Sequence, residues 1–334
     1  MRPFRAPPPS TALEPGPVPS FSIVIAAYQA ADVIAEAIDS ALGQTLAPLE
    51  VIVCDDGSTD DLAGALASHG NRITVLRKAN GGEASAKNAA IGAARGDYVV
   101  ILDADDVFAE DRLDALGELA SARPDLDVLT TDAVLEIDGR VVRRSYEASN
   151  PFLVDDQRAG ILTRNFVFGL CAVRRERLLA AGGFDEEIRY TTDWDLWLRM
   201  IFAGSRIGLV DLPLARYRIT PANLSSQRSK MLNGALATLG KAAARDDLTP
   251  HERVVVEESV AGYRRKLALV VASESLEAGG TRRRRAALGV VLGAGQPLAL
   301  RAKALAAALM PGAAARRTQR GDREVTAGLR VPRT

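Results

Sequence analysis

Residues 21–60 read FSIVIAAYQAADVIAEAIDSALGQTLAPLEVIVCDDGSTD, and this stretch decides the fold class. Phe21–Ala27 is a short apolar run rich in β-branched residues, as a strand covered on both faces should be. Asp32–Leu42 places Ile34, Ala37, Ile38, Ala41 and Leu42 at helical spacing. Leu49–Cys54 is a second buried strand, and an acidic turn, Asp55-Asp56-Gly57-Ser58-Thr59-Asp60, follows it directly. Strand, helix and strand at this spacing predict a βαβ unit with parallel strands.

The alternation continues outward. Asp60–Ser68 predicts a short helix, Ile73–Leu76 a third strand, Glu83–Arg95 an Ala-rich helix ended by Gly96, and Tyr98–Leu102 a fourth strand. The class is therefore α/β, a mostly parallel sheet with helices on both faces. Beyond residue 110 a helix is expected over Asp111–Ala122. Strands are expected at Val128–Thr131, Val134–Ile137 and Arg140–Arg143, with Asp138-Gly139 as a hairpin turn. Phe168–Val173 reads as extended, and Ile207–Val210 and Leu214–Tyr217 as two further strands. Thr192 is expected to cap a helix bearing Trp194, Trp197, Leu198 and Ile201 on one stripe, with the tryptophans in the core.

The rear of the chain is helical from about residue 229. Thr249-Pro250-His251-Glu252 is a capping box with proline at the first helical position, followed by an apolar stripe at Val256, Val260, Tyr263, Leu267 and Val270. The expected organisation is a disordered Pro-rich lead-in over 1–19, an α/β domain over 20–228, a helical extension over 229–311 and a disordered basic tail over 312–334.

Composition narrows the function. With 42 Lys+Arg against 42 Asp+Glu in 334 residues the net charge is zero, and the 47% hydrophobic content excludes a disordered or collagen-like chain. Two cysteines, Cys54 and Cys171, exclude a disulfide framework and fit a reducing cytoplasm. His69 and His251 are the only histidines, which argues against zinc catalysis and histidine triads. No GxGxxG follows the first strand, so a dinucleotide dehydrogenase is not indicated. Residues 282–334 carry 12 Lys+Arg against 2 acidic residues, and Leu298, Ala302, Leu305 and Leu309 form an apolar stripe. That pattern suits an interfacial helix at an anionic membrane surface, here the inner face of the plasma membrane. The Arg282–Arg285 run has no interleaved aromatics, so nucleic acid is not an expected partner.

The carboxylates gather where strands end: Asp55 and Asp56 after the second, Asp103, Asp105 and Asp106 after the fourth. Ligands of open α/β sheets bind beyond those ends. Hard oxygen donors there suit Mg²⁺ or Mn²⁺ bound jointly with substrate phosphates.

Five motifs in order carry a resemblance: Phe21–Tyr28, the helix running to Gln44-Thr45, the EVIVCDDGSTD of 50–60, the NGGEASAKNAAIGAARGDYVVILDADD of 80–106, and GGFDE…TDWDLWLR of 182–199. Over roughly residues 20–225 the chain resembles the family 2 glycosyltransferases. The resemblance implies the GT-A fold, with its Rossmann-like, mostly parallel sheet, and an inverting enzyme using a nucleoside diphosphate sugar. It implies that Asp56 receives the nucleobase beside Ala27 and Tyr28, and that Lys87 places a cation near the diphosphate. The DxD motif falls on Asp103-Ala104-Asp105, giving ribose contact to Asp103 and the metal to Asp105 first and Asp106 second. Arg218, in YRITPANLS, is expected to approach the diphosphate. Asp193 is the implied base, taking the proton of a hydroxyl on a polysaccharide or lipid-linked glycan. Here Thr192 stands where the family's motif has glutamate. Two other readings are an inactive nucleotide-sugar-binding scaffold and a sugar nucleotidyltransferase; the latter would need a Gly-rich basic loop that Ala26–Ala31 lacks.

Overall fold

The computed structural model describes residues 18–220 and 227–277. The proline-rich lead-in, the Arg282–Arg285 run, the Leu298–Met310 stretch and the basic tail lie outside these residues.

The first half is the expected alternation: β1 (Phe21–Ala27), α1 (Ile34–Leu42), β2 (Glu50–Asp55), α2 (Leu62–Ala67), β3 (Thr74–Arg77), α3 (Glu83–Ala93) and β4 (Tyr98–Asp103). Strands β3, β2, β1 and β4 lie side by side and parallel. Their residues alternate between two apolar cores. Val24, Ile52, Val99 and Ile101 face one side, where α3 packs. Ile23, Ile25, Val51, Val53 and Val100 face the other, beneath α1 and α2. Burial on both faces is why these strands read as unbroken apolar runs rather than alternating ones.

Beyond β4 the sheet turns mixed. A two-residue β5 (Val107–Phe108) and α4 (Arg112–Ala122) precede β6 (Val128–Ile137) and β7 (Arg140–Arg144). Then come α5 (Gln157–Ile161), β8 (Ala172–Arg174), α6 (Arg175–Ala180), α7 (Thr192–Phe202) and β9 (Ile207–Ile219). The order is β3-β2-β1-β4-β8-β6-β9-β5, with β7 on the free part of β6. β8 runs antiparallel to both β4 and β6, and β9 runs parallel to β6. The two pairs of short strands expected from the sequence are single long ones, β6 and β9. Their mutual register shifts around Asp132 and Val134, so bulges interrupt the side-chain pattern without ending either strand. Asp138 and Gly139 turn the β6–β7 hairpin with φ of 49° and 73°. Of the extended stretch Phe168–Val173, only the end joins the sheet.

Helices α8 (Arg228–Ala243) and α9 (Pro250–Glu277) complete one face. Ala235, Leu239, Ala242 and Val256 belong to the same core as Trp194 and Trp197 of α7, so the helical rear shares the core of the sheet. Both tryptophans are buried; the Trp194 indole donates to Ile161 O at 2.8 Å, and its ring lies 5.6 Å from that of Tyr263. The capping box forms as read: Thr249 N donates to Glu252 Oε2 at 2.8 Å, and Glu252 N to Thr249 Oγ1 at 3.2 Å. Glu252 also accepts Arg158 Nε at 2.7 Å, and the Arg158 guanidinium lies 4.2 Å from the Phe202 ring. One arginine thus ties α5 to both α7 and α9.

The Arg158 hydrogen bonds hold the Glu252 carboxyl at about 2, against 4.5 for the ordinary group. Its contribution is complete above pH 4.5 and is lost as pH falls towards 2. We expect Glu252→Ala to lower unfolding free energy by about 2 kcal/mol at pH 7. In urea titrations the gap between variant and wild type should close steadily below pH 4.5.

Candidate active site

Parallel register delivers the acidic loops to one edge. Ala27 pairs with Asp55 and Ala26 with Asp103, so β1, β2 and β4 end level with one another. The loops after them must therefore meet beyond the same end of the sheet.

The loop after β2 is bolted to the loop after β1. Ser58 Oγ accepts Gln29 N, Gln29 Oε1 accepts Thr59 N at 2.8 Å, and Asp60 accepts Ala31 N at 2.9 Å. Asp61 caps α2, accepting Gly64 N. Gly57 sits at φ 76°, and a Cβ there would stand 2.9 Å from Asn80 N, so only glycine lets the two loops approach. Tyr28 is 53% exposed beside them.

Asp56 is almost fully buried. It accepts Lys78 Nζ at 2.9 Å, Gly81 N at 3.0 Å and Gly82 N at 2.7 Å. This carboxylate therefore shapes the turn into α3 as well as facing the β1 end. The sequence reading missed Lys78 and the Gly81-Gly82 backbone, because donation from a main chain 25 residues away leaves no local pattern.

Lys87 lies at the centre. Its ammonium is 2.9 Å from Asp103 Oδ1 and 2.5 Å from Glu83 Oε1, and 5.5 Å from the centre of the Phe184 ring. Burial works against its charge, but Asp103 and Glu83 outweigh burial and raise its pKa above that of an ordinary lysine. Glu83 was not singled out from the sequence, although its four-residue spacing from Lys87 on a helix was the available signal.

Asp193 lies in the first turn of α7, which starts at Thr192. The residue before the helix is Thr191, at φ 61°, with no side-chain cap, so the expected Thr192 cap is displaced by one residue. Burial raises the Asp193 pKa above the usual carboxylate range. The Trp194 backbone N–H, the Lys87 charge and Asn165 oppose that rise. Asn165 Nδ2 donates to Asp193 Oδ2 at 2.7 Å. Lys87 thus acts on both Asp103 and Asp193, residues 90 apart in sequence.

The placement of α7 rests on Asn88. Its amide donates to Phe184 O and accepts Phe184 N, both at 2.8 Å. Gly183, at φ 69°, would bring a Cβ to 2.5 Å from Asn88 Oδ1. Arg199 of α7 grips the same loop, donating to Gly183 O at 2.8 Å and pairing with the buried Asp195 at 2.8 Å.

At the DxD loop, Asp106 is fully buried. Its Oδ1 accepts Arg218 N at 2.9 Å, while Oδ2 has no hydrogen-bond partner. Burial, then the Asp103 and Asp105 charges, push its pKa well above the ordinary value. A buried carboxyl oxygen without a partner, near two more carboxylates, fits a divalent cation, which would favour the ionised form. Among the described residues no three acidic, histidine or cysteine side chains converge as a complete metal cage. The protein would therefore share such an ion with a ligand's phosphates. The Arg218 guanidinium pairs with Glu36 at 2.8 Å.

The sequence model described as Glycosyl transferase family 2 matches residues 22–181. That segment belongs to glycosyltransferase family 2. A hyaluronan synthase of Pasteurella multocida is 34% identical over 191 residues, which is 56% of this chain and 19% of that protein. A succinoglycan biosynthesis protein, ExoO, of Rhizobium meliloti is 32% identical over 220 residues, 62% of this chain and 63% of that one. The chain thus spans less than two thirds of these relatives. Among solved structures, S. aureus TarS 1–349 superposes with a TM-score of 0.61 at 19% identity, over 81% of this chain and 79% of that one. The mannosyltransferase PcManGT of Pyrobaculum calidifontis gives 0.57 at 21% identity, over 89% and 88%. The fold is GT-A.

Removing the Lys87 ammonium leaves Glu83 and Asp103 without their shared cation. We expect Lys87→Met to cost about 3 kcal/mol of stability, as loss of one partner of a buried ion pair does. Chemical denaturation at pH 7 measures it, and the deficit should shrink in acid as the carboxylates take up protons.

Proposed function

We propose that this chain transfers a sugar from a nucleoside diphosphate sugar to a hydroxyl acceptor by single displacement, with inversion. The observation that carries the reading is the buried Lys87, paired with Asp103 at the end of β4 and near enough for its charge to bear on the buried Asp193, which supports one site for both carboxylates. TarS has been solved with UDP and with UDP-GlcNAc, and PcManGT with GDP-Man and Mn²⁺, which supports a nucleotide-sugar donor. The hyaluronan and succinoglycan relatives support a growing polysaccharide or lipid-linked glycan as acceptor. The 12 basic against 2 acidic residues of 282–334 support a peripheral place at an anionic membrane surface, on the cytoplasmic side.

In this reading the base lies by Ala27, exposed Tyr28 and Asp56, and the ribose by Asp103. Arg218 and Lys87 contribute positive potential to the diphosphate. Asp105 and Asp106 would hold Mg²⁺ or Mn²⁺, which supplies Lewis-acid stabilisation of the departing diphosphate. Asp193 takes the acceptor hydroxyl proton as the new bond forms. A raised pKa suits that task, because a more basic carboxylate accepts a proton more readily. One such base and single displacement together give inversion.

Asp193→Asn should reduce turnover by about 10²–10⁴ while UDP still raises the melting temperature. Wild-type rate should fall as pH drops through the raised Asp193 pKa. Near-normal turnover by the folded variant would remove Asp193 from the role.

Asp105→Ala should abolish the extra thermal stabilisation that Mn²⁺ adds to UDP, since a ligand stabilises only what it binds. Full wild-type turnover in excess EDTA would contradict the metal assignment.

A further inference from the structure

Asn165 belongs to no regular element and to none of the five sequence motifs. It lies in the irregular segment between α5 and β8, 28 residues before Asp193. Its amide is nonetheless fixed at both ends. Oδ1 accepts Val167 N at 3.2 Å, and Nδ2 donates to Asp193 Oδ2 at 2.7 Å. A flipped amide would turn a carbonyl towards the carboxylate and an NH₂ towards a backbone N–H, so the network allows one orientation only. The segment is itself anchored: the buried Phe166 and Val167 follow Asn165 into the core, and Phe168 N donates to the Tyr146 hydroxyl at 2.9 Å.

From this geometry we infer that Asn165 is the positioning residue for Asp193, holding one carboxylate oxygen so that the other is aimed at the acceptor hydroxyl. The inference rests on the reading of Asp193 as the base. With Oδ2 held by the amide and the carboxylate also accepting from the Trp194 backbone N–H, rotation about its Cβ–Cγ bond is restrained. A neutral amide donates more strongly to the carboxylate than to the acid, which favours the charged form of the base without adding a cation that would compete for the donor. The other titratable groups that bear on Asp193 are Lys87 and Glu83 of α3 and the buried Cys171 thiol ahead of β8. Burial, ahead of the nearby charges, pushes that thiol up to about 12, so it stays neutral across the working range. Lys87 and Glu83 remain in place when Asn165 is changed, so a shift on mutation reports the amide itself.

The experiment uses the full chain labelled with ¹³Cγ-aspartate. The Asp193 signal is assigned by its disappearance in Asp193→Asn, and its titration is followed by NMR in wild type, Asn165→Ala and Asn165→Gln. Loss of the donor should raise the Asp193 midpoint by about one pH unit, and the glutamine variant should return part of the shift. In parallel, release of UDP or GDP from UDP-GlcNAc or GDP-Man with Mn²⁺ gives rate against pH. The acid limb for Asn165→Ala should move up by the same amount, with kcat falling about tenfold or more and KM for the donor unchanged. An Asp193 midpoint that does not move in Asn165→Ala, with melting temperature preserved, overturns the inference. If Asn165→Ala fails to fold, the glutamine variant decides: a midpoint and acid limb raised together above wild type support the amide as the determinant, and a midpoint and acid limb identical to wild type overturn it. Undiminished turnover by Asp193→Asn would instead defeat the base reading while leaving the measured Asn165–Asp193 coupling intact.

Discussion

The Lys87 ammonium is paired with carboxylates that the chain supplies from two places: Glu83 one turn earlier on α3 and Asp103 at the end of β4. A buried cation is tolerable only where opposite charge surrounds it. Lys87 is therefore buried on the condition that both carboxylates stand where they do. The pairing ties α3 to the end of β4, and the same charge bears on Asp193 at the start of α7. Burial raises the Asp193 pKa, and the lysine opposes that rise.

Around this centre, fixed main-chain geometry does the rest. The level endings of β1, β2 and β4 place the acidic loops together, and Gly57 allows the loop after β2 to close on Asn80. Asn88, one residue after Lys87, clamps both backbone groups of Phe184, and Arg199 clamps Gly183 from the opposite side. The loop before α7 is thus held by hydrogen bonds from two helices. The same bonds hold the start of α7, and with it Asp193, in one position.

A second buried cation shows the contrast. Arg112 is wholly buried without a carboxylate partner. It stacks 4.5 Å from the Phe108 ring and donates to Thr131 and to Leu170 O. Burial lowers its pKa to about 10, and it keeps its charge through hydrogen bonds and an aromatic face alone. It supports the floor beneath the β5 turn, whereas Lys87, among anions, organises the crevice.

The parallel half of the sheet, its flanking helices, the capping box at Thr249–Glu252 and the acidic turns at the strand ends were all legible before folding. They are written in runs of neighbouring residues: apolar strands, helical stripes, and carboxylates directly after a strand. The i,i+4 spacing of Glu83 and Lys87 was equally local. That four short strands are two long ones came from the fold, because a bulge breaks the alternation while the hydrogen-bond ladder to a distant partner continues. From the fold too came the start of α7 at Thr192, the wrapping of Asp56 by the Gly81-Gly82 backbone, and the hold of Asn165 on Asp193. Those facts depend on groups 25 and 28 residues apart meeting with donor opposite acceptor. No periodicity along the chain encodes such a meeting; it arises when the two cores pack and each buried polar group must find its partner.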